Sequence, residues 1–459
     1  MIILIFLLFL IAVFGGIFVT FLIWPRIKYN WLPQLCRWLI ISLPFERIPS
    51  VNTAVGNIRI SQILVLIGFY FLIVLIVKKD PILKAKKFNT DVIYPILFII
   101  FSLPSWFGIV NFNRFLSTFV ATLLTFGAFF LLSQFTENIY KRIQELVLTM
   151  VFVGFFGVYQ FLGDMIGLPI WLTGLREGYT KAVFGIPRIH VTAIEPLYFA
   201  GMLFLPIFTC LTFILARRKM LVKHFKYSNF VLLSFFILLF VLTLSKGAWF
   251  TLALTLPVYL IFAARKLKVL ELLKSLSWLG FITVIGFLFS LLYSETILEF
   301  AYGFWQHIVS TLNFSAATSF ERLSLFESAW MILQRYIITG IGSGQYGIYS
   351  EGLLPINFEP GSFAIVNNVY LEIWLEFGLI SLWIFLIFIF TPVAKSLAEF
   401  VKKGKIIDDN EIAKFILTFS LIAYFVQWSF FSPIFIMPIF IMLGMLSRLT
   451  YLGNQAKLD

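Results

Sequence analysis

The sequence predicts an all-α polytopic membrane protein that crosses a lipid bilayer about twelve times. Of its 459 residues, 61% are hydrophobic and 12% are charged, and the mean hydropathy is +0.98. Soluble globular proteins contain about 45–50% apolar and about 25% charged residues, so this chain is too apolar for a water-soluble fold. The 57 Phe and 12 Trp agree with this class, because aromatic side chains contact lipid and line both bilayer interfaces.

Apolar windows of about 17–25 residues, the length that crosses about 30 Å of hydrocarbon, recur along the chain. Each window is expected to be helical, since backbone polar groups in lipid must be satisfied within the segment. The first window lacks a positively charged start and a small-residue cleavage site, so we interpret it as a retained span. The windows lie near residues 1–24, 61–77, 92–110, 115–133, 143–163, 197–216, 229–245, 247–264, 276–293, 369–392, 413–431 and 433–450.

Four connections between these windows are strongly basic, and an even number of windows separates each from the next. They are residues 78–91, 217–228, 265–275 and 393–412. Lys and Arg collect in cytoplasmic loops, so all four connections and both termini are expected to be cytoplasmic. The net charge of +13 is therefore interpreted as an orientation signal, and no nucleic-acid partner is expected.

The basic region 25–60 does not fit this scheme, which places it outside. Either residues 31–43 form an additional short or interfacial helix, or the charge rule fails there. The two longest connections, 164–196 and 294–368, are then external, and such long connections are more often functional or disordered. Because neither contains a separate soluble domain, the chain 1–459 is interpreted as a single transmembrane domain.

The larger external loop is too rich in aromatic residues to be a free linker. Apolar residues recur at helical spacing over 319–334, with Phe326, Trp330 and Leu333 on one stripe. This pattern predicts an amphipathic helix at the bilayer surface. The glycine-rich stretch 340–347 that follows allows positive φ angles or close backbone approach and is expected to end the helix.

Four segments of the chain carry a family resemblance. Arg322 is followed by an apolar helix and then by TGIGSGQY, and a variable insert leads into NNVYLEIWLEFGLISL at 367–382. Earlier in the chain, EPLYFAGML occupies 195–203 and LSKGAWFTL occupies 244–252. In this order and spacing they resemble the bacterial O-antigen polymerase and O-antigen ligase superfamily, with Lys246 at the position of an Arg in that family's motif.

The resemblance implies a GT-C-like, metal-independent glycosyltransferase in the bacterial cytoplasmic (inner) membrane. Its donor and acceptor would be undecaprenyl-pyrophosphate-linked glycans, and 294–368 would be its external catalytic loop. No cofactor is implied, and a chain-length regulator is a further partner that such an enzyme could use. We favour polymerisation of repeat units into O-antigen, capsule or exopolysaccharide.

Three alternative functions stay open. Within the family, an O-antigen ligase would transfer a finished polymer to a lipid A core. Another lipid-glycan transferase is a second alternative. A polytopic transporter or lipid flippase belongs to a different class, and it would normally show internal repeats and polar or broken helices near the bilayer midplane.

Cationic side chains near the external loops are candidates for binding the donor pyrophosphate. The segment 294–368 contains no Asp, so a carboxylate cage for a divalent metal is not expected there. Fixed cations can neutralise the leaving group instead, and Arg binds phosphate oxygens bidentately. The candidates are Arg188, Lys246, Arg322 and Arg335. Each could alternatively be a solvated loop charge, anchor a helix end or extend to the interface.

The general base is harder to identify, because ligases of this family carry a His at the position of Asn367, and Asn cannot act as a base. Possible replacements are Glu195, Glu372 and His190. Asn368, Glu372 and Glu376 recur every four residues and share one helix face. We therefore predict Glu195, Glu372 and Arg322 as catalytic residues, and Asn367 and Asn368 as substrate contacts. Capping or a hydrogen bond to a neighbouring helix is the structural alternative for the two carboxylates of this face, and a helix start is the alternative for Glu195.

Overall fold

In the computed structural model the protein is a bundle of α-helices. The structure describes residues 26–45, 50–53, 56–180, 186–220, 228–267, 317–353, 364–402, 408–432 and 436–455. The longer helices are α1 (Trp31–Ile41), α2 (Ile60–Val77), α3 (Ile93–Ser102), α4 (Phe112–Phe135), α5 (Ile139–Met165), α6 (Pro196–Leu215), α7 (Ser228–Leu242), α8 (Lys246–Lys266), α9 (Ala317–Leu333), α10 (Val369–Phe377), α11 (Leu379–Lys402), α12 (Asp409–Gln427) and α13 (Met437–Gln455).

The class predicted from the sequence, an all-α polytopic membrane protein, is confirmed. Within the described residues, seven helical segments are long and apolar enough to cross a membrane. They are Ile60–Val77, Thr90–Gly108, Phe112–Phe135, Ile139–Met165, Pro196–Leu215, Lys246–Lys266 and Leu379–Lys402. The predicted windows 1–24 and 276–293 lie outside the described residues, so the total of about twelve spans stays a prediction.

The surface of the bundle is apolar where a soluble protein would be polar. Phe107, Phe152 and Trp383 are each more than half exposed, and many Ile and Leu side chains of the outer helices are exposed with them. α6 lies at the centre and is buried along nearly all of its length. An apolar exterior around a buried helix is the arrangement expected for a bundle that contacts lipid.

The region 25–60 contains a short helix and a hairpin. The helix anticipated over 31–43 is present as α1, and it packs against α2, α4 and α5. Two strands that the sequence pattern did not reveal, Ser50–Thr53 and Gly56–Arg59, pair antiparallel. They are only four residues long, too short for a clear alternation of polar and apolar residues. The second strand leads directly into α2 and places Arg59 at its start.

The window predicted as one span over 369–392 is divided into α10 and α11 at Gly378. This glycine has a φ of +86°, and a Cβ added there would lie 2.0 Å from the Ile338 carbonyl oxygen. A side chain at position 378 would clash with the backbone of the loop that follows α9, so only glycine allows this loop to pack here. The apolar pattern continues across the break, so the spacing of apolar residues does not indicate a contact that a remote loop creates.

Connections rich in Lys and Arg meet at one end of the bundle, which we call the basic end. Lys395 forms an ion pair of 2.9 Å with Asp91, and Arg218 forms one of 3.4 Å with Asp409. Asp91 also accepts a 2.6 Å hydrogen bond from Ser447. These contacts place three of the four basic connections together, as the even number of intervening spans requires. We call the opposite end, where α2, α4 and α13 begin, the cavity end.

Candidate functional site

A cavity of about 170 Å³ lies at the cavity end, between the first turns of α2 and α13, the first four turns of α4, the helix α10 and the glycine-rich loop 340–347. Two arginines and two glutamates line it, in a protein that is otherwise poor in charge. The polar lining residues are Arg59, Ser61, Gln62, Arg114, Thr118, Thr125, Ser343, Glu372 and Glu376. A concave site with converging polar groups is the most informative candidate for a binding site.

Asn368 sets the position of the helix that carries the two glutamates. Its side-chain oxygen accepts a 3.0 Å hydrogen bond from the Leu371 N–H, so it is the N-cap of α10. Its amide also donates to the Ser429 carbonyl at 3.4 Å. Asn367 before it has a φ of +59°, a conformation that Asn tolerates better than most residues. Both polar groups of the Asn368 side chain are thus used within the protein.

Glu376 holds the glycine-rich loop against α10. Its carboxylate accepts hydrogen bonds from the backbone N–H groups of Gly344, at 2.8 Å, and Tyr346, at 3.4 Å. The N–H groups of Ile341 and Gly342 donate in turn to carbonyls of the last turn of α10, at 3.0 and 2.9 Å. Terminal helix carbonyls lack partners within the helix, so the loop satisfies them. Loop and helix are therefore one rigid unit.

The same loop fixes the beginning of α4. The Ser343 hydroxyl donates to the Thr118 hydroxyl at 2.9 Å, and the Gln345 side-chain oxygen accepts from the Asn111 N–H at 2.8 Å. These bonds secure the first two turns of α4. Arg114 lies in the first of these turns and lines the cavity. The loop thus brings a guanidinium to the same cavity as the glutamates of α10.

Of the two glutamates in the cavity, Glu372 has a carboxylate oxygen that is not hydrogen-bonded to any described residue, whereas both oxygens of Glu376 accept hydrogen bonds. This oxygen of Glu372, Oε2, is buried. Burial raises the pKa of Glu372, and the neighbouring Glu376 raises it further, while Ser432, Arg114 and the Val366 backbone oppose the rise. Burial likewise raises the pKa of Glu376. A carboxyl with a raised pKa and a free oxygen is suited to exchange a proton with a ligand.

The helix predicted over 319–334 is present as α9 and packs on the glycine-rich loop. The Tyr346 hydroxyl lies 2.7 Å from the Ser328 hydroxyl and donates to the Leu325 carbonyl at 2.9 Å. Leu325 and Ala329 are buried at this contact, whereas Trp330, which was assigned to the apolar stripe, is 52% exposed. The helix was therefore predicted correctly, but its inward face depends on where Tyr346 lies.

The two predicted arginines of this region have different positions. Arg322 belongs to α9, one turn before Leu325, and its side chain lies outside the described part of the structure. Arg335 follows the end of α9, is exposed, and is not among the residues that line the cavity.

A second polar group forms around the smaller predicted loop. Arg188 donates to the Thr243 carbonyl at 3.4 Å, and its guanidinium lies 5.6 Å from the centre of the Tyr179 ring. The buried His190 ring packs edge-to-face with the Tyr179 ring, 5.6 Å from its centre, and its Nδ1 lies 3.1 Å from the Ala193 carbonyl oxygen. Arg188 and His190 are thus brought together, apart from the cavity lining.

Glu195 and Lys246 each lie at the start of a helix beside this group. Glu195 precedes Pro196, the first residue of α6, so the helix start considered as its structural alternative is present. Lys246 is the first residue of α8, three positions after the carbonyl that Arg188 contacts. Neither side chain is among those that line the cavity.

The segment 427–432 connects the two polar groups. The Gln427 amide donates to a carbonyl in the first turn of α6 at 3.0 Å, and the Tyr198 hydroxyl donates to the Ser432 carbonyl at 2.6 Å. Ser432 also acts on the pKa of Glu372. The first turn of α6 and the helix α10 therefore share one connecting wall.

Sequence reasoning missed Arg114 and treated Arg59 only as an exception to the charge rule. Both lie at the starts of apolar helices and line the cavity. The missed signal was available for Arg114, because it is the only charged residue in the sequence of α4. An ionisable residue within a membrane helix is a functional candidate by default.

The described residues contain no group of three or more His, Cys, Asp or Glu that could hold a metal ion. Comparison with known proteins shows that residues 230–386 match the family described as O-antigen ligase. A search of curated proteins finds no match. The matched range, about a third of the chain, contains α9, the glycine-rich loop and α10. The match supports the assignment of the chain to the O-antigen polymerase and O-antigen ligase superfamily.

Proposed function

We propose that the protein polymerises lipid-linked oligosaccharide repeat units by forming glycosidic bonds at the cavity end. The family match supports a part in O-antigen assembly. The observation that carries the proposal is the cavity that Glu372 and Arg114 share. Sugar transfer from a lipid pyrophosphate needs a group that accepts the proton of the attacking hydroxyl and a group that stabilises the departing phosphate. The cavity offers one of each.

Arg114 is the proposed main ligand of the donor pyrophosphate. It is the third residue of α4, where the helix dipole adds positive potential, and its planar fork can bind two phosphate oxygens. Arg59 lines the same cavity from the start of α2. Arg322 is the proposed third cation. It lies on α9 one turn before Leu325, whose carbonyl accepts a hydrogen bond from Tyr346 of the loop. Together the three cations would neutralise charge as the leaving group departs.

Glu372 is the proposed general base. In this step the acceptor hydroxyl oxygen attacks the anomeric carbon of the donor sugar, and the bond from that carbon to the pyrophosphate oxygen breaks. The hydroxyl proton passes to Glu372, and the lipid pyrophosphate leaves with the bonding electron pair. The raised pKa of Glu372 supports this role, because a base works best when its pKa is near the working pH.

Glu376 is proposed as a positioning residue. Its carboxylate binds backbone N–H groups of the glycine-rich loop, and the loop in turn secures the first turns of α4. Arg188, Lys246 and Arg335, which the sequence predicts as pyrophosphate ligands, and Glu195, which it predicts as catalytic, do not line the cavity, and here we propose contacts to the glycan for them. The connection through 427–432 supports this for the residues around α6 and α8.

An O-antigen ligase is the second candidate, favoured by the description of the matched family. The two functions share the donor and differ in the acceptor, which is a lipid A core for a ligase and a second lipid-linked unit for a polymerase. Asn367 stands at the position where the resembling ligases carry a His, and this difference favours the polymerase.

The acceptor distinguishes the two functions. Purified protein in proteoliposomes receives a lipid-linked repeat unit, with or without a lipid A core acceptor, in excess EDTA. We expect a ladder of polymer lengths on a gel without the lipid A core. Product that forms only with the lipid A core would assign a ligase. Activity that returns only with added magnesium or manganese would overturn the metal-independent mechanism.

The orientation of the site can be tested with single cysteines. The native Cys36 and Cys210 are buried, so they should give a low background with a membrane-impermeant thiol reagent. Glu177→Cys and Glu351→Cys replace exposed residues of the two long loops, and Lys84→Cys replaces an exposed residue of the basic end. In intact cells we expect the first two to react and the third to stay unlabelled. The reverse pattern would place the cavity on the cytoplasmic face.

A further inference from the structure

A second concave surface lies at the basic end, far along the bundle from the cavity. It is an open groove of about 540 Å³ between the chain before α1, the connection that follows α2, and α13. Its lining residues are Tyr29, Pro81, Ile82, Lys86 and Arg448. Two cations therefore face the same groove, which none of the roles proposed above uses.

Lys86 is surrounded by aromatic rings. Its ammonium group donates to the Tyr29 hydroxyl at 2.7 Å and lies 4.2 Å from the centre of the Phe135 ring. Burial and, to a smaller extent, the charge of Arg448 lower the pKa of Lys86 to about 8, while the exposed Glu137 acts in the opposite direction. The site thus holds two like charges close enough to disfavour each other.

Arg448 approaches the groove from α13. Its guanidinium lies 5.9 Å from the centre of the Tyr451 ring. Its Nε is buried and has no hydrogen-bond partner within the described ranges. A buried donor of a cationic group without an acceptor is costly for folding, so such an atom indicates a missing anionic partner.

Other cations at the basic end have carboxylate partners. The ion pairs are Lys395 with Asp91, Lys414 with Glu399, and Arg218 with Asp409. In the part of the chain that the structure describes, neither Lys86 nor Arg448 forms an ion pair. The groove is therefore a local excess of positive charge at an end where carboxylates balance other cations.

We propose that Lys86 and Arg448 bind a phosphate group in this groove, and that an anionic phospholipid of the bilayer carries it. Basic pockets between membrane helices bind lipid headgroups in this way. The lining supports a lipid as the source, because Ile82 is 52% exposed and offers apolar contact to acyl chains beside the two cations. The proposal is independent of the glycosyltransferase function, which concerns the opposite end.

The test measures lipid binding by the intact protein in detergent. Native mass spectrometry records the uptake of phosphatidylglycerol, with phosphatidylcholine as the neutral lipid and inorganic phosphate as the soluble anion. The Lys86→Gln, Arg448→Gln double variant should bind phosphatidylglycerol at least about tenfold more weakly. Lys84→Gln removes an exposed cation of the same connection and should bind like the wild type. Lys86→Arg keeps the charge and should also bind.

Each outcome bears on the proposal. Selective loss of phosphatidylglycerol in the double variant, with binding kept in Lys84→Gln and Lys86→Arg, supports it. Equal uptake by the wild type and the double variant, or equal uptake of both lipids, would overturn it. Inorganic phosphate that binds while phosphatidylglycerol does not would overturn the lipid as the source. Melting curves confirm that each variant is folded before binding is measured.

Discussion

In the Asp91 network at the basic end, buried polar groups are paired with one another, whereas in the cavity at the opposite end a buried carboxyl oxygen has no hydrogen-bond partner in the part of the chain that the structure describes. Asp91 accepts hydrogen bonds from Lys395 at 2.9 Å and Ser447 at 2.6 Å. The Asn89 side chain donates to the same Ser447 at 2.8 Å, and its backbone N–H donates to Gln134 of α4 at 2.8 Å. The network thus joins α4, α11 and α13 to the connection before α3. At the other end, Oε2 of Glu372 has no hydrogen-bond partner among the described residues.

The difference indicates which group of residues specifies the fold, the Asp91 network, and which is available for chemistry, the cavity. A satisfied buried network joins helices in one arrangement, and breaking it leaves costly unpaired groups. An unsatisfied carboxyl in a cavity destabilises the protein alone and can be compensated by a ligand. We therefore expect substitutions in the Asp91 network to change stability, and substitutions in the cavity to change activity.

The largest expected effect is the loss of activity in Glu372→Gln. The amide keeps the size of the side chain but cannot accept the hydroxyl proton, so the rate should fall about 10²- to 10⁴-fold. The melting temperature should stay the same or rise, because the variant no longer buries a carboxyl with a free oxygen. Initial polymerisation rates and thermal unfolding measure the two quantities.

The matched control is Glu327→Gln, the same change at an exposed position of α9. It should retain wild-type activity. If Glu372→Gln polymerises at a rate close to that of the control, Glu372 is not the base, and Glu195 and His190 become the remaining candidates.

Asp91→Ala should show the opposite behaviour. It removes the acceptor of the Lys395 and Ser447 hydrogen bonds, and we expect a loss of about 3 kcal/mol in the free energy of unfolding. Activity per folded molecule should be unchanged. The control is Asp409→Ala, whose ion pair with Arg218 is exposed and should contribute less than about 1 kcal/mol. Equal destabilisation by both variants would contradict the role given to the buried network.

A smaller effect is expected from Arg114→Lys, which keeps the charge but loses the planar fork. If Arg114 binds the pyrophosphate bidentately, activity should fall roughly tenfold, without a matching change in stability. Arg322→Lys tests the same geometry on α9, and Lys246→Arg should be tolerated because the resembling family carries Arg there. Full activity of Arg114→Lys would show that only its charge matters.

The smallest effect concerns pH. Because the folded-state pKa of Glu372 is raised, the active ionised form is lost as the pH falls through that value, and activity should rise with pH across it. Stability should change in the opposite direction, since a raised carboxyl pKa stabilises the folded state below the unfolded pKa and loses this contribution as the pH rises. Glu372→Gln should show a weaker dependence of stability on pH. An identical dependence in both proteins would contradict the assignment.

Composition and hydrophobic periodicity were sufficient to predict the membrane class, most span positions within the described residues and the helix α9. These features depend on how apolar residues are spaced along the chain, and lipid requires helices wherever the spacing is long enough. The motifs around Glu195, Lys246, Arg322 and Asn367 also led from the sequence to the family that the match at 230–386 supports.

Only the tertiary structure decided which of these residues meet. Gly378 interrupts an apolar pattern because a remote loop crosses there, and the inward face of α9 follows from the position of Tyr346. Arg114 and Glu372 lie more than 250 positions apart in the sequence and share a cavity because the glycine-rich loop binds both α4 and α10. Spacing along the chain describes one element at a time, whereas a site depends on contacts between elements.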